Sequence, residues 1–292
     1  MSAAGLAVAA GGLLGAAALL YGARAAVFRA FSIPRVPLRR DPGRYGLDFR
    51  DVTIPTANDR TLGAWFVPPA RAPGPCVVVM HGWGANAAMM LPLVAPIAKA
   101  GLGLVLVDAR NHGRSDGDTY ASMPRFAEDV DACLDWLRDQ PEADGARLGL
   151  LGHSVGAAAC LLAASRRDDV AAVAALATFD HPERVMRDYL RHAGLPWRPL
   201  GWLVTRYVEK VIGHRFEAIA PLTTIRRVRC PVLLLHGEDD PVISVEQARA
   251  VHARANGNAR LVTAPGVDHE ARGALRKVQM PLRDFLKEVL GP

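Results

Sequence analysis

The sequence predicts an α/β protein whose mostly parallel sheet carries helices on both faces and is preceded by an antiparallel hairpin. Two observations support this fold class. Short apolar runs alternate with segments of helical periodicity through most of the chain, and turn signals follow the apolar runs. The 292 residues are 50% hydrophobic and 22% charged, which is enough for a sizeable core.

The first 23 residues carry no charged side chain. About twenty helical residues span roughly 30 Å, the thickness of a bilayer core, so residues 1–24 are interpreted as an N-terminal membrane segment. Positive residues follow this segment and do not precede it, which predicts an uncleaved anchor with the rest of the chain on the cytoplasmic side. The alternative is a cleaved signal peptide and export, with Ala-x-Ala sites at residues 16–18 and 23–25.

Residues 25–48 are interpreted as a linker because prolines and arginines cluster there. After it, residues 49–54 and 62–67 have the apolar and β-branched composition of strands. The turn signal Ala-Asn-Asp at 57–59 lies between them. These runs predict the antiparallel hairpin with which the globular core begins.

The alternating pattern then fills the predicted core, residues 49–179 and 225–292. The remaining strands are predicted at 76–80, 103–107, 148–151, 170–177, 232–235 and 261–264. Helices are predicted at 85–99, 125–139, 155–166, 245–255 and 280–290.

Residues 180–224 interrupt this alternation and contain no convincing strand. Apolar residues recur there at helical spacing, namely Leu200, Leu203, Val204, Tyr207, Val208, Val211 and Ile212. An insertion after a strand of an open sheet lies over the crevice at the strand ends, which predicts a small helical cap. The competing interpretation, that this stripe packs on the core, stays open.

Charge and cysteine content narrow the class of protein. The net charge of +6 is not accompanied by a nucleic-acid-binding motif, so no nucleic-acid partner is expected. The four cysteines are far apart in sequence and form no Cys-x-x-Cys pair, which favours buried, unpaired thiols. The chain contains neither His-Glu-x-x-His nor a Cys/His cluster, so no metal and no cofactor are expected.

The candidate nucleophile is Ser154, in the pentapeptide Gly-His-Ser-Val-Gly. An apolar strand precedes the pentapeptide and an alanine-rich helical stretch follows it. In this setting the chain turns so sharply that the residues two positions away, Gly152 and Gly156, must be small. The serine hydroxyl is then held at the strand end beside a helix N-terminus.

A serine hydroxyl needs a base, and the base needs an orienting acid. Among nine histidines, His269 follows the last predicted strand, where the base should return to the serine. The acid should lie between serine and histidine in the chain. Glu238, Asp239 and Asp240 compete for this role because all three follow the strand at 232–235.

A tetrahedral intermediate also needs N–H donors directed at its oxyanion. The residue after the nucleophile, Val155, supplies one candidate. The sequence His81-Gly82-Trp83-Gly84 follows the strand at 76–80 and supplies Trp83 as the other. Glycine on either side of Trp83 lets the backbone approach a substrate closely.

Taken together, these motifs resemble those of serine hydrolases of the α/β-hydrolase superfamily over residues 51–290. The His-Gly sequence at 81–82 resembles the family's oxyanion motif, and residues 108–115 resemble the Asp-x-Arg-Gly-x-Gly-x-Ser loop. The sequence His236-Gly-x-x-Asp240 resembles the family's acid motif, whose spacing favours Asp240. The resemblance implies a carboxylesterase or lipase-like enzyme that uses Ser154, His269 and Asp240 and no cofactor.

Several functions share these residues and stay open. A thioesterase, an acyltransferase and a serine aminopeptidase are alternatives on the same fold, and a non-enzymatic membrane-tethered scaffold is the least favoured one. An aminopeptidase usually needs acidic residues for the substrate amine, whereas arginines outnumber acidic residues in the predicted cap. A small-molecule ester or a lipid is the expected substrate, and the sequence does not indicate an oligomeric state.

Overall fold

An eight-stranded sheet lies at the centre of the protein. The structure is a computed structural model that describes residues 21–22, 24–25, 28–29, 32–192, 194–271 and 273–291. Its strands are β1 (Arg50–Thr56), β2 (Arg60–Val67), β3 (Gly74–Met80), β4 (Gly103–Val107), β5 (Ala143–His153), β6 (Ala172–Leu176), β7 (Val232–Gly237) and β8 (Ala259–Ala264).

The strands follow the order β1-β2-β4-β3-β5-β6-β7-β8. The β1–β2 and β2–β4 pairs are antiparallel. All pairs from β4–β3 to β7–β8 are parallel. This arrangement confirms the predicted fold class, a mostly parallel sheet with an antiparallel N-terminal hairpin.

Helices cover both faces of the sheet and also form the segment between β6 and β7. In the described residues, α-helices span Ala87–Lys99, Met123–Arg138, Val155–Ala164, Pro182–His192, Trp202–Ile212, Phe216–Ile219, Pro221–Thr224, Val245–His252 and Leu275–Leu290. Shorter turns of 3-10 helix span Pro42–Tyr45, Ala57–Asp59 and Ile225–Arg227, and a π-helical turn spans Trp197–Gly201.

Alternate side chains of the central strands enter two separate halves of the core. Val78 and Met80 pack with Phe126 and Ala157 from the helices on one face. On the other face, Val77 and Val79 pack with side chains of Ala87–Lys99 and Leu275–Leu290. Strands buried on both faces have apolar residues at every position, which is why β3 and β4 were recognisable from short apolar runs.

Two elements begin five residues earlier than predicted. β5 begins at Ala143, not at residue 148. Its first five residues are partly or fully exposed and do not form an apolar run, so the prediction missed them. It also continues to His153, directly before the candidate nucleophile. The last helix begins at Leu275, not at residue 280, and continues through Pro281. The early start of the last helix was missed because Pro281, inside the helix, reads as a helix start or a helix breaker.

The predicted membrane segment is corrected. Residues 1–24 lie outside the described residues except for Tyr21, Gly22 and Arg24. Within the described part of the chain, no helix has both the length and the apolar character needed to cross a membrane. The predictions of a transmembrane helix and of a membrane-anchored location are therefore wrong.

The segment predicted as a linker makes contacts with the core. The side-chain amide of Asn86 donates to the carbonyl of Val36 at 2.9 Å. Arg35 donates to the carbonyl of Gly113 at 2.7 Å. Asn86 and Gly113 belong to loops that follow β3 and β4, so this part of the chain lies at the carboxyl ends of these strands.

Candidate active site

Ser154 lies in a strained turn between β5 and the helix Val155–Ala164. Its φ of 55° and ψ of −119° fall outside the regions that most residues adopt. A methyl group at Gly152 would lie 2.3 Å from the carbonyl oxygen of Gly156, and one at Gly156 would lie 2.4 Å from that of His81. Because such distances are sterically impossible, glycine is required at both positions, as the sequence predicts for a sharp nucleophile turn.

His269 and Asp240 are in direct contact. His269 lies in the loop between β8 and the last helix, and its Nδ1 is 2.7 Å from Asp240 Oδ2. The other carboxylate oxygen of Asp240 accepts the N–H groups of Val242 at 2.8 Å and Ile243 at 2.9 Å. Since a carboxylate accepts only, His269 carries a proton on Nδ1 and presents Nε2 as the basic nitrogen.

Of the three candidate acids, Asp240 alone is buried. Glu238 is exposed and accepts the hydroxyl of Thr263 at 2.7 Å. Asp239 is also exposed. The structure therefore brings Asp240, and not its two acidic neighbours, to His269.

Hydrogen bonds keep Asp240 ionised. Burial by itself would raise its pKa, but donation from His236, His269 and the Ile243 N–H holds the pKa of Asp240 below its usual range. His236 is fully buried, and its Nε2 is 3.4 Å from Asp240 Oδ2 and 2.7 Å from the Ile243 carbonyl oxygen. The charged carboxylate can therefore stabilise a protonated His269.

Two buried histidines hold the loop that contains Trp83. The N–H of Ala109 donates to Nε2 of His81 at 3.0 Å, so the proton of His81 is on Nδ1, which lies 2.7 Å from the Gly82 carbonyl oxygen. The N–H of Gly84 donates to Nε2 of His112 at 3.2 Å. The backbone on both sides of Trp83 is thus fixed by imidazole rings.

Burial keeps both of these rings neutral. Burial and the neighbouring His112 lower the pKa of His81 to about 4, and burial also lowers the pKa of His112. Each ring then has one N–H and one lone pair, as its hydrogen bonds require. His81 was predicted as part of the motif, whereas the contact of His112 with Gly84 was not predicted.

The two residues predicted as oxyanion donors, Trp83 and Val155, line one cavity together with Ser154. Val155 is the first residue of its helix, so its N–H is one of those for which the helix itself provides no acceptor. Trp83 is partly exposed and its indole lies nearly parallel to the ring of Phe126, with centroids 6.2 Å apart. Both residues line the same cavity as Ser154.

That cavity has a volume of about 1000 Å³ and is lined mainly by apolar side chains. Ser154, His269, Gly82, Trp83 and Val155 all contribute to its wall. Much of the rest of the wall comes from the segment between β6 and β7, through Phe179, Pro182, Val185, Met186, Tyr189, Val208, Val211, Ile212, Phe216 and Ile219. Phe28, from the N-terminal part of the chain, also lines it.

The loop after β4 supports the site through Asp108. This buried carboxylate accepts the N–H of Ala87 at 2.7 Å, at the start of a helix, and the N–H of Arg114 at 3.1 Å. A methyl group at Gly113 would lie 2.2 Å from the Asp108 carboxyl carbon. The resemblance of residues 108–115 to a family loop identified the segment, but not these contacts.

Most arginines of the segment 180–224 pair with acidic residues of the same segment, so their positive charge is largely balanced locally. The pairs are Arg184–Asp180, Arg187–Glu183, Arg191–Asp188, Arg206–Glu209 and Arg215–Glu209. Among the described residues, no cluster of three His, Cys, Asp or Glu side chains could hold a metal ion.

Fold and site together define an α/β hydrolase. The family model for serine aminopeptidase S33 matches residues 71–215, and the model for TAP-like protein matches residues 216–289. The chain is 30% identical over 247 residues to the uncharacterized protein Rv2307c of Mycobacterium tuberculosis, covering 83% of this chain and 81% of the relative. The chain belongs to the α/β-hydrolase superfamily, and the protein is a hydrolase.

Solved structures share the fold. The Pyrococcus furiosus esterase Pf2001 superimposes with a TM-score of 0.73 at 23% identity, over 89% of this chain and 98% of the esterase. A puromycin-hydrolyzing peptidase of Mycobacterium tuberculosis superimposes with a TM-score of 0.68 at 22% identity, over 85% of this chain and 40% of the peptidase. At these identities the likeness supports the fold alone.

Proposed function

We propose that the protein is a serine hydrolase that cleaves carboxylic esters with an apolar acyl or alcohol group. The observation that carries this proposal is the apolar cavity of about 1000 Å³, whose wall includes both Ser154 and the Asp240-bound His269. A concave, mostly apolar site with a few convergent polar groups is the usual form of a small-molecule site.

In the proposed mechanism, Nε2 of His269 removes the proton of the Ser154 hydroxyl while its oxygen attacks the ester carbonyl. The imidazolium that forms is stabilised by Asp240. Collapse of the tetrahedral intermediate breaks the bond to the alcohol oxygen, and His269 donates the proton to the departing alcohol. Water then gives a proton to the same nitrogen and attacks the acyl-enzyme; the bond between the acyl carbon and the Ser154 oxygen breaks, the acid leaves, and His269 returns the proton to Ser154.

The N–H groups of Trp83 and Val155 are the proposed oxyanion donors. Their contribution depends on rigidity, because donors that are already oriented need no reorganisation when charge develops on the carbonyl oxygen. The hydrogen bonds of His81 and His112 to Gly82 and Gly84 supply that rigidity for the Trp83 loop. The turn that begins the helix supplies it for Val155.

A serine aminopeptidase is the second candidate, favoured by the S33 family match and by two carboxylates in the cavity wall. Asp188 and Glu270 line the cavity. Asp188 is paired with Arg191 at 2.9 Å, so its charge is largely satisfied. Glu270 adjoins His269 and is exposed, so it is the better candidate to bind a substrate ammonium group.

The first experiment compares p-nitrophenyl esters with aminoacyl p-nitroanilides that carry a free or a blocked amino group. We expect the full chain to hydrolyse the esters and Ser154→Ala to be inactive. Preference for free over blocked aminoacyl substrates, lost in Glu270→Gln but kept in Asp188→Asn, would instead establish the aminopeptidase. Activity confined to acyl thioesters would make the protein a thioesterase.

A further inference from the structure

His153 lies between the nucleophile and the loop of the proposed base. It is the last residue of β5, directly precedes Ser154, and is only 9% exposed. Its Nε2 lies 2.8 Å from the backbone carbonyl oxygen of His269, and the two rings have centroids 4.9 Å apart. On its other side, a methyl group at Gly82 would lie 3.1 Å from Nδ1 of His153.

The acceptor determines where His153 carries its proton. A carbonyl oxygen only accepts, so Nε2 of His153 must be the donor. Burial and the neighbouring His269 lower the pKa of His153, which keeps the ring neutral with an unprotonated Nδ1. A neutral donor places no second positive charge beside His269 when that residue becomes an imidazolium.

His269 needs such an anchor because its backbone lies outside any helix or strand. Its side chain is held at Nδ1 by Asp240, 2.7 Å away. A ring fixed at one end only can still tilt with the loop that carries it. The hydrogen bond from His153 also holds the backbone of His269. Because His153 directly precedes Ser154, this bond links the His269 loop to the nucleophile.

We propose that His153 is a positioning residue that holds the loop of His269 at a fixed distance from Ser154. The proposal rests on the proposed function for its catalytic consequence. Its structural part, the tether between β5 and the loop after β8, does not depend on which substrate is cleaved. The tether acts through one donor hydrogen, so a side chain that supplies this hydrogen at the same place replaces histidine.

Three variants distinguish the effect of the His153 hydrogen bond from the effect of filling the same space. In His153→Gln the amide nitrogen is as many bonds from Cα as Nε2 is, so it can donate to the same carbonyl. In His153→Asn the amide nitrogen is one bond shorter and corresponds to Nδ1. In His153→Leu the site is filled, but the donor is absent. Loss of the donor leaves the partly buried carbonyl of His269 without this hydrogen bond as well.

Two measurements on the full 292-residue chain test whether His153 holds the His269 loop. The first is amide hydrogen exchange of residues 265–271, and the second is kcat and KM for a p-nitrophenyl ester. We expect faster loop exchange in His153→Leu and His153→Asn, with kcat about 100-fold lower and KM changed less than threefold, since misplacement of a reacting group costs about this much. His153→Gln should restore slow exchange and most of kcat.

Equal kcat and equal loop exchange in His153→Gln and His153→Leu would overturn the proposal, because packing alone would then explain the histidine. The exchange measurement also keeps this result apart from the proposed function. If the wild-type protein cleaves no ester, the esterase assignment fails, whereas the exchange contrast between Gln and Leu still decides whether His153 tethers the loop.

Discussion

The hydrogen bonds of Asp240 fit its proposed role, which is to orient His269. It binds Nδ1 of His269 at 2.7 Å and therefore sets the tautomer in which Nε2 is the base. In Asp240→Asn the amide can donate to Nδ1 and favour the wrong tautomer. We expect kcat for ester hydrolysis to fall by about 10⁴, the effect of removing this charge in other triads. A loss below tenfold in steady-state assays would show that another carboxylate orients His269.

The lowered pKa of Asp240 also predicts how stability depends on pH. An aspartate whose pKa is lower in the folded than in the unfolded state stabilises the protein above the unfolded value, about 3.9. That contribution is lost as the pH falls through the folded value. The difference in unfolding free energy between wild type and Asp240→Asn should therefore be largest at neutral pH and shrink in acid. Urea titrations at a series of pH values test this, and a constant difference would contradict it.

Arg110, two residues before His112, forms an ion pair with Asp129 inside the molecule. The guanidinium Nε lies 2.7 Å from Asp129 Oδ1, and both side chains are 1% exposed. Asp129→Ala leaves a buried guanidinium partly unpaired, which costs about 3 kcal/mol of unfolding free energy.

The control for this pair is Asp135→Ala, which removes a surface partner of Arg167 at 2.7 Å with the carboxylate 64% exposed. We expect less than about 1 kcal/mol for it. Both values come from urea unfolding, and equal losses would mean that the buried pair contributes no more than the exposed one.

At the residue level, motif order predicted the identity of Ser154, His269 and Asp240 as candidates, but not the residues that hold them. His153 and His269 are 116 positions apart in the chain, and Gly84 and His112 are 28 apart. Such contacts depend on how neighbouring strands end beside each other. A single sequence shows a histidine near a strand end, but not the carbonyl or N–H that it meets.

At the level of elements, residues 32–36 form part of the support of the site. Arg35 donates to the Gly113 carbonyl at 2.7 Å, next to His112, whose ring accepts the Gly84 N–H. Arg35→Ala should loosen this loop and lower kcat/KM for ester hydrolysis about fivefold, the equivalent of one hydrogen bond of about 1 kcal/mol.

Arg39→Ala is the matched control for Arg35→Ala, because Arg39 is an exposed arginine of the same segment. It should retain wild-type kcat/KM. Equal kcat/KM values for the two variants would show that the Arg35 contact does not affect catalysis. Proteins shortened to begin at residue 39 would lack this contact, so activity should be measured on the full chain.

Strands that consist of an uninterrupted apolar run were predicted well. Element ends with partly exposed residues or an internal proline were predicted poorly. β4 was predicted with its observed bounds because both of its faces are buried. The start of the last helix was missed because the side chains of Leu275 and Arg276 are only half-buried or exposed and Pro281 follows. Periodicity is a clear signal only where burial is one-sided or complete.

At the scale of the whole molecule, the cavity predicts a dependence on chain length. Each methylene buried against its apolar wall contributes about 0.8 kcal/mol, or roughly fourfold in kcat/KM. A cavity of about 1000 Å³ has room for a chain of several carbons beyond the ester carbonyl. We expect kcat/KM to rise from p-nitrophenyl acetate to at least the octanoate. A maximum at the acetate would mean that acyl chains do not occupy this cavity.

The sequence was least informative about the N-terminal region. The membrane segment was predicted from missing charge and from apolar length alone, and most of its residues lie outside the part of the chain that the structure describes. The fold, in contrast, was predicted in outline because many independent strand and helix signals agreed in order. A prediction supported by many strand and helix signals was confirmed, whereas the membrane segment was predicted from one local feature of the sequence and was not.

The most direct test of the proposed function is hydrolysis of p-nitrophenyl butyrate by the full chain and by Ser154→Ala at equal concentrations. We predict measurable turnover by the wild-type protein and a loss of at least about a thousandfold in kcat for the variant, because without the hydroxyl no acyl-enzyme forms. A variant as active as its parent would contradict the account, since Ser154 would then not be the nucleophile.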